Sequence, residues 1–315
     1  MPAHHPIPWL AYASLAASMS LVGSYVGLSK LLVAVFPVFL LAWLRFGIAA
    51  VAMARWVRRA GGEAPLSAHD RWLLFWESFL GNFLFSICML FGVSLTSAVF
   101  AGVVMAAIPA AVAVLSRVFL GERMTRRAMA GTACAVAGIA ALALVKPHGG
   151  AAQAIAAPLA NDWPSWVGPA LLVCAMLCEA SYVVIGKRLT AQISPRRISA
   201  LINLWGLALV TPLGLWQAVS FDFGAVSHGT WALLVFYAIA ASVGTVWLWM
   251  KGLARVPAQQ AGVFTVLLPI SAALVGVVLL AEPFGPAHLA AFALALAGLL
   301  LATWPAPGRA LSRSE

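Results

Sequence analysis

Residues 261 to 270 read AGVFTVLLPI, an apolar run with no charged residue between Arg255 and Glu282 and with a proline near its middle. Pro269 has no main-chain donor and its ring crowds the carbonyl of Thr265, four residues earlier, so the run predicts a kinked helix. Shifted by 160 residues, it falls on AGVVMAAIPA, residues 101 to 110, with Pro109 beneath Pro269. The register holds without a gap from Gly92 to Gly138 and pairs Gly92 with Gly252, Gly102 with Gly262, Leu120 with Leu280, Glu122 with Glu282 and Gly138 with Gly298. A shift of 157 sets Ser24, Tyr25, Val26 and Lys30 on Ser181, Tyr182, Val183 and Lys187. The chain is a duplicated unit.

Composition identifies the solvent of that unit. Of 315 residues, 63% are hydrophobic and 9% charged, with a mean hydropathy of +0.98, which no soluble globular chain approaches. The charged clusters cut the chain into runs of roughly 20 residues, the length that crosses a bilayer as helix. Ten spans result, over 9–30, 37–56, 72–92, 97–118, 128–146, 165–186, 197–218, 230–250, 258–280 and 287–304. Five is odd, so the second unit enters the membrane from the other side. The expected fold is an all-α membrane protein of ten transmembrane helices in two inverted five-helix repeats. Residues 1–146 form the first, 147–164 a periplasmic linker, and 165–315 the second repeat with a cytoplasmic tail. The opening MPAHHPIPW has no Lys or Arg ahead of the apolar run and is expected to lead into an uncleaved first span.

The net charge of +10 is distributed in one direction. Of the 19 lysines and arginines, Lys30 and Lys146 fall on one side and Arg45 within a span, leaving all the others on the opposite side. The positive-inside rule then makes both termini cytoplasmic, and nucleic acid is not needed to explain the charge. The four cysteines lie within spans and read as packing thiols, while the six histidines lie in the tail, in loops or, for His288, at the very start of the last span. Neither a metal nor another cofactor is expected. HExxH, GxSxG and GxxxxGK[ST] do not occur, so the chain is not expected to be an enzyme.

Kinks at Pro109 and Pro269 would release the carbonyls of Met105 and Thr265 at mid-membrane, which is tolerated against protein or a water-filled cavity. The prolines shape packing or line such a cavity. AGVVMAAIPAxxAxxxxxxLGE and its copy AGVFTVLLPIxxAxxxxxxLAE, each followed by a helix with a late Ala-Gly (Ala137-Gly138, Ala297-Gly298), resemble the paired EamA-type domains of the drug/metabolite transporter superfamily. The resemblance covers nearly the whole chain. It implies ten helices, cytoplasmic termini, a cavity lined by helices 1, 3, 4, 6, 8 and 9, and helices 5 and 10 at the periphery. It also implies a bacterial inner-membrane exporter of small metabolites, with aromatic amino-acid exporters as the favoured subgroup.

Ionisable residues within spans carry the most functional weight, because charge in hydrocarbon is costly and turns inward. Glu179 shares a face of helix 6 with Tyr182, and LCEASYVVIGK resembles the first helix of the small multidrug transporters, where a glutamate eight residues before a lysine couples protons and cations. Val22 is the matching residue of helix 1, so this feature occurs in one half, and a structural ion pair is the alternative role. Glu77 sits near the cytoplasmic end of helix 3, within reach of the interface. Arg45 sits nearer the opposite surface in helix 2, where it holds a substrate carboxylate or pairs with another helix. Their depths argue against a direct pair.

Ser78, Asn82 and Ser86 form a polar stripe on helix 3, and Ser242, Thr245 and Trp249 form one on helix 8. Helix-to-helix hydrogen bonds explain such stripes as well as ligand contact does. Tyr25 and Tyr182 are placed to flank an apolar ligand. Glu122 and Glu282 precede helices 5 and 10 and are expected to stabilise those helix starts. The expected substrate contacts are therefore Tyr25, Ser78, Asn82, Met105, Pro109, Glu179, Tyr182, Ser242, Thr245, Trp249, Thr265 and Pro269, with Arg45 and Glu77 as charge partners. The expected function is export of small amphiphilic metabolites, above all aromatic or other neutral amino acids, by a monomer in the bilayer using alternating access. The alternative is an exporter of lipophilic cations coupled to protons through Glu179.

Overall fold

In hydrocarbon every main-chain donor must be met within its own segment or by a neighbour, and the described residues are helical accordingly. The computed structural model describes residues 8–33, 35–59, 63, 65–95, 104–105, 107–122, 126–144, 164–268, 270–271, 274 and 286–303. In the first half they form α1 (Trp9–Val33), α2 (Val38–Ala52), α3 (Ala68–Ser78), α4 (Phe85–Ser94), α5 (Ile108–Phe119) and α6 (Arg126–Leu144). The second half holds α7 (Val167–Leu189), α8 (Pro195–Val219), α9 (His228–Ala238), α10 (Thr245–Leu253), α11 (Ala258–Val263) and α12 (Pro286–Thr303). Ala68–Met89, Val167–Leu189, Pro195–Val219 and His228–Leu253 are each long and apolar enough to cross a membrane, and Val38–Ala52 and Ile108–Phe119 are shorter apolar helices. The expected linker, save its last residue, lies outside the described residues.

The duplication is visible in local structure. Ser67 accepts the Asp70 N–H and, with Asp70 answering its own N–H, starts α3 with a capping box. Ser227, 160 residues later, accepts the Thr230 N–H and starts α9. Both helices then widen into a π turn at the same distance from the cap, Phe79–Leu84 in one half and Ile239–Gly244 in the other. A π turn disturbs the α-helical pairing of main-chain groups, so side chains can take up carbonyls there. Ser86 Oγ donates to the Asn82 carbonyl (2.6 Å), and Asn203 Nδ2 donates to the Ser242 carbonyl (3.1 Å), again 160 residues apart.

Packing shows how the halves are related. Near the start of α2, Leu40 N–H donates to Gln217 Oε1 near the end of α8 (2.9 Å), and further along α2 Phe46 lies on Gly206, earlier in α8. These second helices of the two halves are antiparallel. So are the fifth helices: a Cβ on Gly131, early in α6, would lie 2.6 Å from the Ala302 nitrogen at the end of α12. Antiparallel mates are what an inverted repeat requires. The crossed contacts agree, because Leu15 of α1 fills the space a Cβ would need on Gly252 of α10, and Leu172 of α7 does the same on Gly92 of α4. Both leucines are fully buried, and small residues let the helix backbones approach where no water drives them together.

Candidate functional site

Several residues expected to meet substrate make hydrogen bonds within the bundle or lie buried in it. Ser78 Oγ donates to the Ile202 carbonyl of α8 (2.8 Å). Thr245 Oγ1 closes on the Ala240 carbonyl (2.9 Å) within the π turn, while its own carbonyl accepts Ser18 Oγ of α1 (2.9 Å). Thr265 Oγ1 donates to the Gly262 carbonyl (2.8 Å), and Ser242 is buried. Trp249 is 2% exposed in a core shared with Leu15, Leu74 and Val183. Of the helix 3 stripe, Ser78 thus meets a neighbouring helix, while Asn82 and Ser86 line a cavity.

The proline expectation changes too. Pro109 is buried in the first turn of α5, where its missing donor leaves no bond unmade, and Ala107 N–H closes a turn on the Val104 carbonyl (3.0 Å) just before it. Helix α5 therefore starts at Ile108 with Pro109 in its first turn. Met105 is half-buried ahead of that start. In the second half a short 3₁₀ turn, Phe264–Val266, follows α11, and Pro269 itself lies outside the described residues, as does the side chain of Tyr25.

Two acidic residues from different halves come together. Glu77 is fully buried rather than reaching for the interface, and neither carboxyl oxygen has a hydrogen-bond partner by geometry; a Cβ on Gly186 would lie 2.7 Å from its Oε1. Glu179 of α7 lies within electrostatic range of that group. Lys187, which follows in the Glu-Lys motif, donates Nζ to the carbonyls of Leu253 (2.9 Å) and Ala254 (3.4 Å) and so caps the end of α10. Beside them Tyr182 lies on Gly81 in the first π turn, with no room for a Cβ between them. Gly81→Val is expected to force α7 off that turn at about 1–3 kcal/mol. Melting temperatures should show the loss and its partial recovery in Gly81→Val with Tyr182→Ala; equal melting of Gly81→Val and wild type would refute the contact.

Arg45 and Asn82 meet at a partly open cavity of about 220 Å³, together with Ser86 and the rings of Phe39, Phe83, Phe91 and Tyr237. Its walls come from α2, the first π turn, α4, α8 and α9, so it lies among spans 2, 3, 7 and 8, of which 3 and 8 belong to the set the resemblance implied. The Arg45 guanidinium carbon sits 4.4 Å from the centre of the Phe46 ring, and its Nε is buried without a hydrogen-bond partner. The sequence marked the arginine and the asparagine. It did not mark the aromatic wall, because a ring in an apolar span carries no sign of what it faces.

The end of the bundle away from this cavity is fastened across the halves. Glu63 accepts the Ser194 N–H at the start of α8 (2.6 Å) and pairs with Arg197 (3.0 Å). Glu122 accepts the N–H groups of Ala258 (2.8 Å) and Gln259 (3.1 Å) at the start of α11. The helix start that Glu122 stabilises thus belongs to the ninth span and not, as expected, to the fifth. The favourable physics is the same, a carboxylate on free N–H groups at the positive end of a helix.

Comparison with known proteins agrees with this architecture. A model of the EamA-like transporter family matches residues 9–144 and again 166–304. The uncharacterized transporter YetK of Bacillus subtilis (strain 168) is 35% identical over 292 residues, covering 92% of this chain and 86% of YetK. The uncharacterized transporter YwfM of the same organism is 32% identical over 123 residues, covering 39% of this chain and 40% of YwfM. A solved protein crystal structure shares the fold at a TM-score of 0.70 and 20% identity, covering 92% of this chain and 95% of that one.

Proposed function

The chain belongs to the EamA-like transporter family, and on that premise we propose that it exports small amphiphilic metabolites, foremost aromatic or other neutral amino acids, by alternating access. It does so as a monomer in the bacterial inner membrane with both termini in the cytoplasm. The observation that carries this reading is the exchange relation of the halves: antiparallel mates, crossed Leu-Gly contacts and π turns at matched positions. Two halves so related can trade conformations and turn a cavity from one side to the other. The substrate class is supported by the charge of the site, one arginine among aromatic and neutral polar groups, which suits an amphiphile better than a polyanion.

A second reading has its own support in Glu77 and Glu179. A buried carboxyl group of one half within electrostatic range of a half-buried one of the other suits a lipophilic cation exchanged for protons. Efflux of phenylalanine, tryptophan and methyl viologen from loaded cells separates the two. On the amino-acid reading, wild type expels phenylalanine and tryptophan and Glu179→Gln keeps most of that flux. Export of methyl viologen alone, abolished in Glu179→Gln, would replace it with the cation reading.

A further inference from the structure

We infer that the cavity between α2, α4, α8 and α9 anchors the carboxylate of an amphiphilic organic monoanion, with Arg45 as the counter-charge; this deepens the exporter reading and rests on it. Arg45 is the sole ionisable residue of α2 and lies seven residues beyond its first, Val38, roughly 10 Å along the helix. A guanidinium at such depth needs a partner, yet no described carboxylate forms an ion pair with it and its Nε has no acceptor. Phe46 covers the guanidinium at 4.4 Å, and a planar carboxylate fits the donor edge of such a group with two parallel hydrogen bonds. Asn82 and Ser86 add neutral polar groups, and Phe39, Phe83, Phe91 and Tyr237 form walls for an apolar or aromatic body.

The same lining sets the order of recognition. One cation suits one negative charge, so a phosphate ester or dicarboxylate is left with charge unmatched. No Asp or Glu lines the cavity, so an ammonium group meets no opposite charge there. The carboxylate is therefore the primary determinant and the α-amino group is dispensable: 3-phenylpropionate binds at least as well as phenylalanine, and phenethylamine, which lacks the carboxylate, binds poorly.

Calorimetry on the purified full chain with these three compounds tests the anchor. Wild type is expected to bind both carboxylates and to bind phenethylamine at least tenfold more weakly. Arg45→Gln should weaken both carboxylates by about tenfold or more. Arg45→Lys, which keeps a charge but loses the fork, and Asn82→Ala should each give a smaller loss, and they serve as the readout where Arg45→Gln does not fold. Phenethylamine binding as tightly as the carboxylates, or unchanged affinities in the Arg45 variants, overturns the anchor. Carboxylate binding that depends on Arg45, with no efflux of any amphiphile from cells, upholds the anchor and sinks the exporter reading. Efflux that persists while binding ignores Arg45 does the reverse.

Discussion

Trp249→Ala is expected to destabilise the protein by about 3–5 kcal/mol, the loss typical of emptying a large buried aromatic site, and to do so without a selective change in substrate affinity. Trp249 is 2% exposed and is the largest of the fully buried side chains among the described residues. It sits in the core that joins α1, α3, α7, α8 and α10, so its removal opens a void where both halves meet. Its indole Nε1 is buried with no hydrogen-bond partner. Trp249→Phe keeps most of the volume and discards that orphan donor, so it should cost far less than alanine. Thermal unfolding of the purified variants, read as loss of the monodisperse fraction, measures both. A stable Trp249→Ala protein whose only defect is weaker substrate binding would return this residue to the substrate site.

Glu63→Ala combined with Glu122→Ala is expected to open the fastened end of the bundle. The Glu63 and Arg197 side chains are 7% and 12% exposed, and breaking so enclosed a pair leaves Arg197 without its counter-charge, at about 3–5 kcal/mol. Losing Glu122 frees two donors at the start of α11 as well. These contacts join the first half to the second, so their loss falls on this end of the bundle in particular. Val256, 1% exposed beside α11, reports on it. A cysteine placed there, in a chain freed of its four native cysteines, should react with a maleimide at least tenfold faster in the double variant. An unchanged labelling rate in folded protein would reduce both carboxylates to ordinary staples.

The repeat was legible because duplication left identical residues at a constant spacing, and Gly92 with Gly252 did so for a packing reason that the structure makes explicit: a leucine of the other half occupies each. The π turns were not legible. FLGNFL and IAASVG share no residue at any position, since a change in main-chain pairing has no side-chain signature, and the match appears only in the helix geometry. The polar stripes told where lipid is not. They did not tell whether Ser78 and Thr245 faced a ligand or a neighbour's carbonyl, which depends on the helix set beside them. Glu122 was misplaced for a related reason: it stands near the start of α6 in sequence, but the N–H groups it meets are 136 and 137 residues away. Arg45 could be singled out because a lone charge among apolar neighbours is conspicuous without any knowledge of its surroundings.

Among the described residues, the corresponding connection of the other half shows no counterpart of the Glu63 fastening. There, between α8 and α9, Asp222 turns back on its own loop and accepts the Gly224 N–H (2.9 Å). Two identical copies facing each other would have two conformers of equal energy, a molecule with no resting position. Any preference has to arise where the copies have drifted apart, and each 1.4 kcal/mol of difference is about a tenfold bias in population. On the alternating-access reading, duplication supplies the capacity to move, and the loop that carries Glu63 is one of the places where divergence can set a resting state.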